Sequence, residues 1–449
     1  MNDPDLLLDL RNIWHPCTPS GDPEQTPLLL VDKAEGVYLI DREGNRYMDV
    51  ISSWWVNLLG HNHPRLNKAL SLQLEKMAHV MFAGITHEPA INLAENLVQL
   101  TPENLTRVFF SDNGSTSVEI ALKMSLQYWR QAGRVKKNRF VYLKDGYHGE
   151  TLGALSVCGS GLFRDKFDEV LMENIEVEGP DCLRCPFGLK RESCNAECFD
   201  SMKNTLETHH ESLAGVVVEP LVQGAAGMKM YPPVYLKKLE DACEAVNVHV
   251  IFDEVATGFY RTGSRFVCEG HELNPNFLCL SKGITSGYLP LAATLTEDSI
   301  YEGFKGEFED FNWFVHSHSY SANPLGCAVA NETLSILEEP EFFESLGGKV
   351  KTMKESASLL EELPWCGEYR QTGMIGALEL VQNQKDLTPF PIKQRVGYKI
   401  FKEGLKRGLF LRPLGNVVYF IPPYAISEEE IKLMVRSSAE SVRTVLEKE

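Results

Sequence analysis

Between residues 105 and 300, short runs of β-branched and aromatic side chains alternate with amphipathic stretches. Residues 107–110 predict a buried strand, and from about residue 116 to 131 apolar side chains recur at helical spacing. Thr116 and Glu119 fit a capping box at the start of that helix. Further strands are predicted at 139–143, 215–218, 248–252 and 277–280, and another helix at about 234–245. This alternation predicts an α/β fold with a mostly parallel sheet covered by helices on both faces.

Polar and glycine-rich segments follow the predicted strands. They are residues 111–115, 146–149, 253–254 and 281–283. In parallel sheets, ligands bind beyond the carboxyl ends of the strands, because loops from several strands meet at that edge. The pattern therefore predicts one binding site that these four segments share.

The two ends of the sequence differ from this central region. A hairpin is predicted around residues 42–45, and the region after about residue 340 is helical, then strand-rich, then helical again. We predict that residues 1–60 and 336–449 form a smaller α+β domain beside a large domain of residues 61–335.

Composition and charge narrow the class of protein. The 449 residues carry a formal net charge of -18, which disfavours binding to nucleic acid or to an anionic membrane surface. The first residues contain no basic segment followed by an apolar one, so no secretory signal is predicted. Apolar runs are too short to span a bilayer. These features predict a cytoplasmic enzyme with small-molecule substrates.

The 11 cysteines are scattered and do not suggest the disulfide framework of a secreted protein. Four of them lie close together near residues 180–200, at Cys182, Cys185, Cys194 and Cys198. Two close pairs are typical of a structural zinc site, but the segment also fits a surface insertion without metal. The second interpretation is favoured, and no metal ligand is assigned. His61 and His63 are assigned to a turn.

Candidate residues match the four features that pyridoxal-phosphate chemistry requires of a protein. Lys282 follows a predicted strand between two small residues and is the candidate Schiff-base lysine, although an isolated lysine there is usually a surface residue. Asp253 ends an apolar run, where a carboxylate is costly unless it is paired, and is the candidate partner of the pyridine nitrogen. The segment 113–116 precedes a helix and is the candidate phosphate cradle. Tyr147 is the candidate ring plate, or else a core aromatic.

Several stretches resemble the class III (omega) aminotransferases, whose fold is that of type I pyridoxal-phosphate enzymes. They are residues 252–259 (FDEVATGF), 261–263 (RTG), 281–283 (SKG) and 318–325 (HSYSANPL). The resemblance implies a large domain with a mostly parallel seven-stranded sheet and a smaller α+β domain built from both chain ends. It also implies pyridoxal 5'-phosphate as cofactor and a homodimer with shared active sites.

The resemblance also implies roles for individual residues. Lys282 becomes the Schiff-base lysine and proton shuttle, and Asp253 the pyridinium partner. The phosphate would be bound by Gly114 and Ser115, and that of the neighbouring subunit by His318 and Ser319. The ring and the substrate would both contact Tyr147. The substrate would also contact Cys17, Trp54, Ser317 and Arg412. A planar guanidinium such as that of Arg412 suits a carboxylate.

Three further stretches resemble the branch of the family that acts on 8-amino-7-oxononanoate in biotin synthesis. They are residues 13–16 (IWHP), 52–55 (SSWW) and 79–87 (HVMFAGITH). S-adenosylmethionine is the expected amino donor. Cys17 stands where users of that donor have a tyrosine, so lysine is an alternative donor.

Two other functions stay open at the level of sequence. One is an omega-aminotransferase acting on 4-aminobutyrate or ornithine, which the stretches 52–55 and 79–87 disfavour. The other is a non-enzymatic protein that senses pyridoxal phosphate, for which the sequence offers no basic DNA-binding module.

Overall fold

The computed structural model describes residues 3–19 and 28–448. Its first elements are short helices and a small hairpin. The elements are α1 (Pro4–Asn12), β1 (Val31–Glu35), β2 (Tyr38–Asp41), β3 (Arg46–Asp49), α2 (Ser52–Trp55), α3 (Pro64–Lys76) and α4 (Glu88–Leu100). β2 and β3 pair in antiparallel fashion, which confirms the hairpin predicted around residues 42–45.

The central region alternates strands and helices. Its elements are β4 (Leu105–Ser111), α5 (Gly114–Gln131), β5 (Arg139–Leu143), α6 (Leu152–Leu155), β6 (Ile175–Val177), α7 (Asp200–His209), β7 (Leu213–Val218), β8 (Val222–Gln223), β9 (Lys229–Met230), α8 (Pro233–Ala245), β10 (His249–Asp253), α9 (Val267–Gly270), β11 (Phe277–Leu280), β12 (Ala292–Glu297), α10 (Asp298–Glu302) and α11 (Pro324–Leu337). Short 3-10 helices lie at Asp168–Val170, Glu197–Phe199, Lys282–Thr285 and Phe308–Asp310.

The last region packs helices against a second antiparallel sheet. Its elements are α12 (Pro340–Ser356), α13 (Ser358–Glu361), β13 (Cys366–Thr372), β14 (Ile375–Asn383), β15 (Thr388–Pro389), α14 (Val396–Lys406), β16 (Leu409–Phe410), β17 (Val417–Phe420) and α15 (Glu428–Leu446). A 3-10 helix at Ile392–Gln394 precedes α14.

The main sheet has seven strands in the order β4-β12-β11-β10-β7-β5-β6. β12 runs antiparallel to both of its neighbours, whereas the pairs among β11, β10, β7, β5 and β6 are parallel. Every residue of β7, β10 and β11 is buried, because helices cover both faces of the sheet. The prediction of a mostly parallel seven-stranded sheet is confirmed.

The start of α5 differs from the prediction. The helix begins at Gly114, and its capping box pairs Asn113 with Thr116 rather than Thr116 with Glu119. Asn113 Oδ1 accepts the Thr116 N–H at 3.0 Å, and the Asn113 N–H donates to Thr116 Oγ1 at 3.3 Å. Glu119 instead accepts hydrogen bonds from Thr151 Oγ1 and the Ala154 N–H. The capping box expected at Thr116 was therefore wrong, because the helix starts two residues earlier and already includes Gly114 and Ser115.

A buried lysine, Lys137, connects chain segments at the amino ends of β5, β7 and β10. Lys137 Nζ donates to the backbone carbonyls of His210, Leu213 and Asn247 at 2.8–3.0 Å, and it lies 4.7 Å from the centre of the Trp129 ring. Because backbone carbonyls that are shielded from water need partners, one amine stabilises two chain segments at once, the one that leads into β7 and the one that leads into β10.

Strands from both ends of the chain meet in one small sheet. β16 pairs in parallel with β3, which places Leu409 opposite Met48 and Phe410 opposite Asp49 in the order β1-β2-β3-β16. The prediction of an α+β unit built from both chain ends is confirmed, whereas the boundaries at residues 60 and 335 stay predictions. Among residues 3–19 and 28–448, each helix is too short or too polar to cross a bilayer.

Candidate functional site

A cavity of about 550 Å³ lies at the carboxyl edge of the main sheet. The segments that follow β4, β5, β10 and β11 supply its walls, as the order of polar segments predicts. The residues lining it are Trp55, Val56, Asp112, Asn113, Gly114, Ser115, Tyr147, His148, Gly149, Glu219, Asp253, Val255, Ala256, Ser281, Lys282 and Gly287 to Leu291.

Lys282 projects into this cavity from the turn after β11. The pKa of its amine is lowered from the ordinary value by loss of surrounding water, although the carboxylates of Asp253 and Glu219 oppose the shift. Its Nζ lies 4.4 Å from the centre of the Trp55 ring. A lowered amine pKa increases the fraction of neutral amine, which is the nucleophilic form.

Asp253 is the last residue of β10 and is almost fully buried. Its Oδ1 accepts the Val255 N–H at 3.1 Å, and its Oδ2 lies 2.8 Å from Nδ1 of the buried His148. The sequence placed His148 in a segment of the predicted site but gave no sign of its role as the partner of Asp253. The carboxylate is thus fixed in one orientation at the floor of the cavity, where it can stabilise a cationic ring nitrogen.

A second buried carboxyl, Glu219, lines the cavity beside Lys282. It accepts the N–H groups of Tyr147 and Gly224, both at 2.9 Å. Burial raises the pKa of Glu219 to about 7. The sequence interpretation also missed this residue, although an acidic residue directly after the apolar run 213–218 carries the same signal as Asp253.

The N-terminus of α5 provides an anion cradle on another wall. Gly114 and Ser115 occupy its first turn, where N–H groups without helical partners and the helix dipole favour a phosphate. A Cβ on Gly114 would lie 2.7 Å from Cγ1 of Val255, and one on Gly149 would lie 2.2 Å from Oγ of Ser115. Only glycine therefore fits at these two positions, and the residues present fit a phosphorylated pyridine cofactor.

Tyr147 lines the same cavity and is joined to Glu219 through its backbone N–H. Its hydroxyl donates to the Glu150 carboxylate at 2.8 Å, and its ring contacts Phe163 with the ring centres 5.2 Å apart. Burial, followed by the neighbouring Glu150, raises the pKa of the phenol. The phenol therefore stays protonated and serves as a hydrogen-bond donor.

Three of the predicted substrate contacts form a group beside Tyr147. The Arg412 guanidinium lies over the Trp54 ring, with 4.6 Å between its Cζ and the ring centre. Cys17 is exposed, and the pKa of its thiol is raised by partial burial and by Glu150, while Arg412 opposes the shift. Glu150 and Arg412 therefore give this group one negative and one positive charge.

Ser317, His318 and Ser319 are absent from the described lining of the cavity. His318 Nε2 lies 3.1 Å from Asp112 Oδ2, and the Ser319 carbonyl accepts a hydrogen bond from His79. Within one chain the structure brings together Lys282, Asp253, Tyr147, Gly114 and Ser115, but not these three residues. The predicted contact of His318 and Ser319 with a neighbouring subunit stays a prediction, and so does the predicted contact of Ser317 with the substrate.

The clustered cysteines are partly buried free thiols. Burial raises the pKa of Cys182 to about 12, and the Cys194 thiol adds to that shift. Burial and Cys194 also raise the pKa of Cys198. Over residues 3–19 and 28–448, no group of three or more His, Cys, Asp or Glu side chains is arranged to hold a metal ion. The zinc interpretation therefore gains no support from the geometry.

The comparisons with known proteins all indicate the same enzyme family. The sequence model of the family described as aminotransferase class-III matches residues 20–440. The adenosylmethionine-8-amino-7-oxononanoate aminotransferase of Geobacter sulfurreducens is 42% identical over 438 residues, which are 97% of each chain. The protein of that name from Aquifex aeolicus is 40% identical over 443 residues, 98% of this chain and 97% of the relative.

Solved structures are similar over the same length. The crystal structure of adenosylmethionine-8-amino-7-oxononanoate aminotransferase from Methanocaldococcus jannaschii has a TM-score of 0.93 and 38% identity, and the match covers 99% of this chain and 100% of that one. An amine transaminase from an uncultivated Pseudomonas species, in the PLP-bound (internal aldimine) form, has a TM-score of 0.91 and 31% identity, with 97% and 99% covered.

Proposed function

The chain belongs to the class-III aminotransferases, and from that premise we propose that it converts 8-amino-7-oxononanoate into 7,8-diaminononanoate with S-adenosylmethionine as amino donor. Full-length relatives at about 40% identity that bear the corresponding name support the substrate. The observation that carries the proposal is the cavity in which Lys282 and the buried Asp253 meet beside the α5 anion cradle.

Pyridoxal phosphate is the cofactor of this enzyme class, and when bound it supplies an electron sink for the exchange of an amino group with a ketone. The N–H groups of Gly114 and Ser115 would hold its phosphate, and the Asp253 carboxylate would stabilise its protonated ring nitrogen. Tyr147 would contribute its protonated hydroxyl as a hydrogen-bond donor.

Lys282 performs the proton transfers in both halves of the reaction. Its amine lies in the cavity beside the Trp55 ring, and its lowered pKa favours the neutral form that can accept a proton. In the first half-reaction it would take a proton from the donor carbon and pass it to the cofactor. In the second it would take a proton from the cofactor and pass it to the carbon that was the ketone. Asp253 stays fixed during these steps because His148 and the Val255 N–H hold both of its oxygens.

Arg412 binds the carboxylate of 8-amino-7-oxononanoate in this proposal. Its guanidinium packs over Trp54, so the charged group is oriented by an apolar surface before substrate arrives. In this proposal Ser317 also lines the substrate pocket. The exposed thiol of Cys17 lies within electrostatic reach of Arg412 and Glu150, which supports a role for it at the entry of the amino donor.

The test is a single-turnover reaction with purified enzyme and bound pyridoxal phosphate. Cofactor absorbance is followed after addition of S-adenosylmethionine or, separately, lysine. We expect S-adenosylmethionine to convert the cofactor and lysine to leave it unchanged. Conversion by lysine alone would show that Cys17 marks a lysine-dependent enzyme. In Lys282→Ala, neither donor should convert the bound cofactor, and turnover by this variant would refute the proposed chemistry.

We also propose a cytoplasmic homodimer in which His318 and Ser319 reach the phosphate bound by the other subunit. The segment before them exposes large apolar side chains, with Phe308, Phe311 and Val315 exposed by 77%, 63% and 70%. Apolar side chains clustered on a surface favour a protein partner, and a second copy of the chain completes the site.

Mixed dimers test this arrangement. Lys282→Ala and His318→Ala homodimers should both be impaired. If His318 acts across the interface, a mixed dimer of the two variants contains one intact site and regains about half of the activity of the wild-type dimer. If the mixed dimer stays as impaired as its parents, His318 does not act across the interface.

A further inference from the structure

Four consecutive residues, of which the last lines the cavity, have a left-handed backbone, although none is glycine. The φ angles of Ser52, Ser53, Trp54 and Trp55 are 52°, 47°, 73° and 75°. Residues other than glycine adopt this conformation singly rather than in runs, because the Cβ crowds the following carbonyl oxygen. A run of four therefore persists only where other contacts hold it.

The contacts that hold this turn come from the ends of two strands. Asp49, the last residue of β3, is fully buried, and its Oδ1 accepts the Ser53 N–H at 2.9 Å. Its Oδ2 accepts the Ser53 hydroxyl at 2.6 Å and lies 3.0 Å from Nε2 of His61. The backbone carbonyl of Ile421, directly after β17, accepts a hydrogen bond from the Ser52 hydroxyl at 2.6 Å. The hydroxyl of Tyr419, within β17, accepts one from the Trp55 indole N–H at 3.1 Å.

The turn carries two indole rings, and each faces a different cation. The Trp55 ring lies 4.4 Å from Lys282 Nζ, and the Trp54 ring lies 4.6 Å from Arg412 Cζ. Both are within the distance at which a ring attracts a cation. The conformation of one short turn thus sets the positions of the surfaces next to both charged groups.

We propose that Asp49 is a positioning residue for the amino-group transfer. Its carboxylate holds the left-handed turn Ser52–Trp55 and thereby fixes Trp54 against Arg412 and Trp55 against Lys282. Asp49 itself does not line the cavity and acts through the two indoles. This inference rests on the proposed function only for its effect on substrate binding, and its structural part stands without it.

The test uses Asp49→Ala with and without a glycine in the turn. Removal of the carboxylate should release the turn, because Ser53 loses both of its partners on Asp49. Ser53→Gly lowers the cost of the positive φ angle, so the double variant should recover the turn without the carboxylate. The matched control is Glu272→Gly, which removes a similar cost at an exposed residue with a φ of 53° on another loop. If Asp49→Ala does not fold, Asp49→Asn replaces it in both measurements. This variant removes the carboxylate charge but keeps the side-chain shape and an acceptor for the Ser53 N–H.

The first readout needs no substrate. The holoenzyme is labelled with 5-fluorotryptophan, and the ¹⁹F resonances of Trp54 and Trp55 are assigned with Trp→Phe variants. We expect Asp49→Ala to shift or broaden these two resonances and to leave that of the buried Trp129 in place. Adding Ser53→Gly should restore both resonances, and adding Glu272→Gly should restore neither.

The second readout is steady-state kinetics on the same proteins. We expect Asp49→Ala to raise KM for 8-amino-7-oxononanoate about tenfold through Arg412. Ser53→Gly should bring KM back toward the wild-type value. The proposal is overturned if the two resonances do not respond to Asp49→Ala, or if both glycines rescue equally. If the resonances respond as expected but the wild-type enzyme does not use this substrate, the proposed function fails and the positioning role of Asp49 stands.

Discussion

Glu219 makes the stability of this protein depend on pH, and one substitution can separate its contribution from those of other titrating groups. The pKa of its buried carboxyl is raised from 4.5 to about 7. Between these pH values the folded protein keeps a proton that the unfolded chain has released. The contribution is therefore fully present below pH 4.5 and is lost as the pH rises through 7.

The size of this loss follows from the shift. Each pKa unit corresponds to about 1.4 kcal/mol, so the change from pH 4.5 to above pH 7 amounts to about 3 kcal/mol. Glu219→Gln cannot titrate. The free energy of unfolding of the wild type minus that of the variant should therefore fall by about 3 kcal/mol over this range, whatever other groups titrate.

Glu254 is a matched control inside the same protein. It is fully buried, accepts two backbone N–H groups from Val267 and Cys268, and has a pKa raised by burial to about 7. Unlike Glu219, it does not line the cavity. Glu254→Gln should show the same pH-dependent difference in stability.

Activity should separate the two variants. The charge of Glu219 raises the pKa of Lys282, so kcat/KM of the wild type should change near pH 7. Glu219→Gln should remove that inflection, and Glu254→Gln should keep it. Urea denaturation of the cofactor-free proteins at fixed concentration, from pH 5 to about 8.5, measures the stabilities. A difference between wild type and Glu219→Gln that is constant with pH would refute the reasoning.

Three further predictions concern single side chains. Lys137→Met should lower the free energy of unfolding by about 3 kcal/mol in urea denaturation, because three buried or partly buried carbonyl hydrogen bonds lose their donor. Lys136→Met at the exposed neighbouring position should change the free energy of unfolding little, and equal effects of the two substitutions would contradict the role of the Lys137 amine. Arg412→Ala should raise KM for 8-amino-7-oxononanoate about 100-fold with a smaller change in kcat, and an unchanged KM would place the substrate carboxylate elsewhere. His148→Leu should weaken the binding of pyridoxal phosphate about tenfold in a fluorescence titration, because Asp253 loses one of its two partners; unchanged affinity would show that Asp253 needs no support.

The sequence was sufficient to predict the main sheet and the place of the site. Strands at 139–143 and 277–280 were predicted with the bounds that the structure shows. Buried parallel strands are continuous apolar runs bounded by polar residues, so their ends are visible in the sequence. Asp253 and Lys282 follow such runs, and the parallel order of β10 and β11 brings them to one edge.

Other features depend on contacts between distant parts of the chain. His148 and Glu219 have defined partners only because the loops after β5, β7 and β10 meet. The turn at Ser52–Trp55 contains no glycine, so local propensity gives no sign of its left-handed backbone. It depends on strand ends more than 360 residues apart, at Asp49 and Ile421. The capping box of α5 was misplaced by three residues because several polar residues near its start could serve as caps.

The parallel pairing of β3 with β16 has a consequence for synthesis on the ribosome. Synthesis proceeds at roughly 5–20 residues per second. One edge of β3 therefore stays unpaired for on the order of tens of seconds before residues 409–410 emerge and pair with it. During that interval the main sheet can fold, but the turn at Ser52–Trp55 still lacks Tyr419 and Ile421. The wall of the cavity next to Lys282 is therefore among the last parts of the nascent protein to form, and chaperones that cover exposed strand edges have their longest opportunity to bind there.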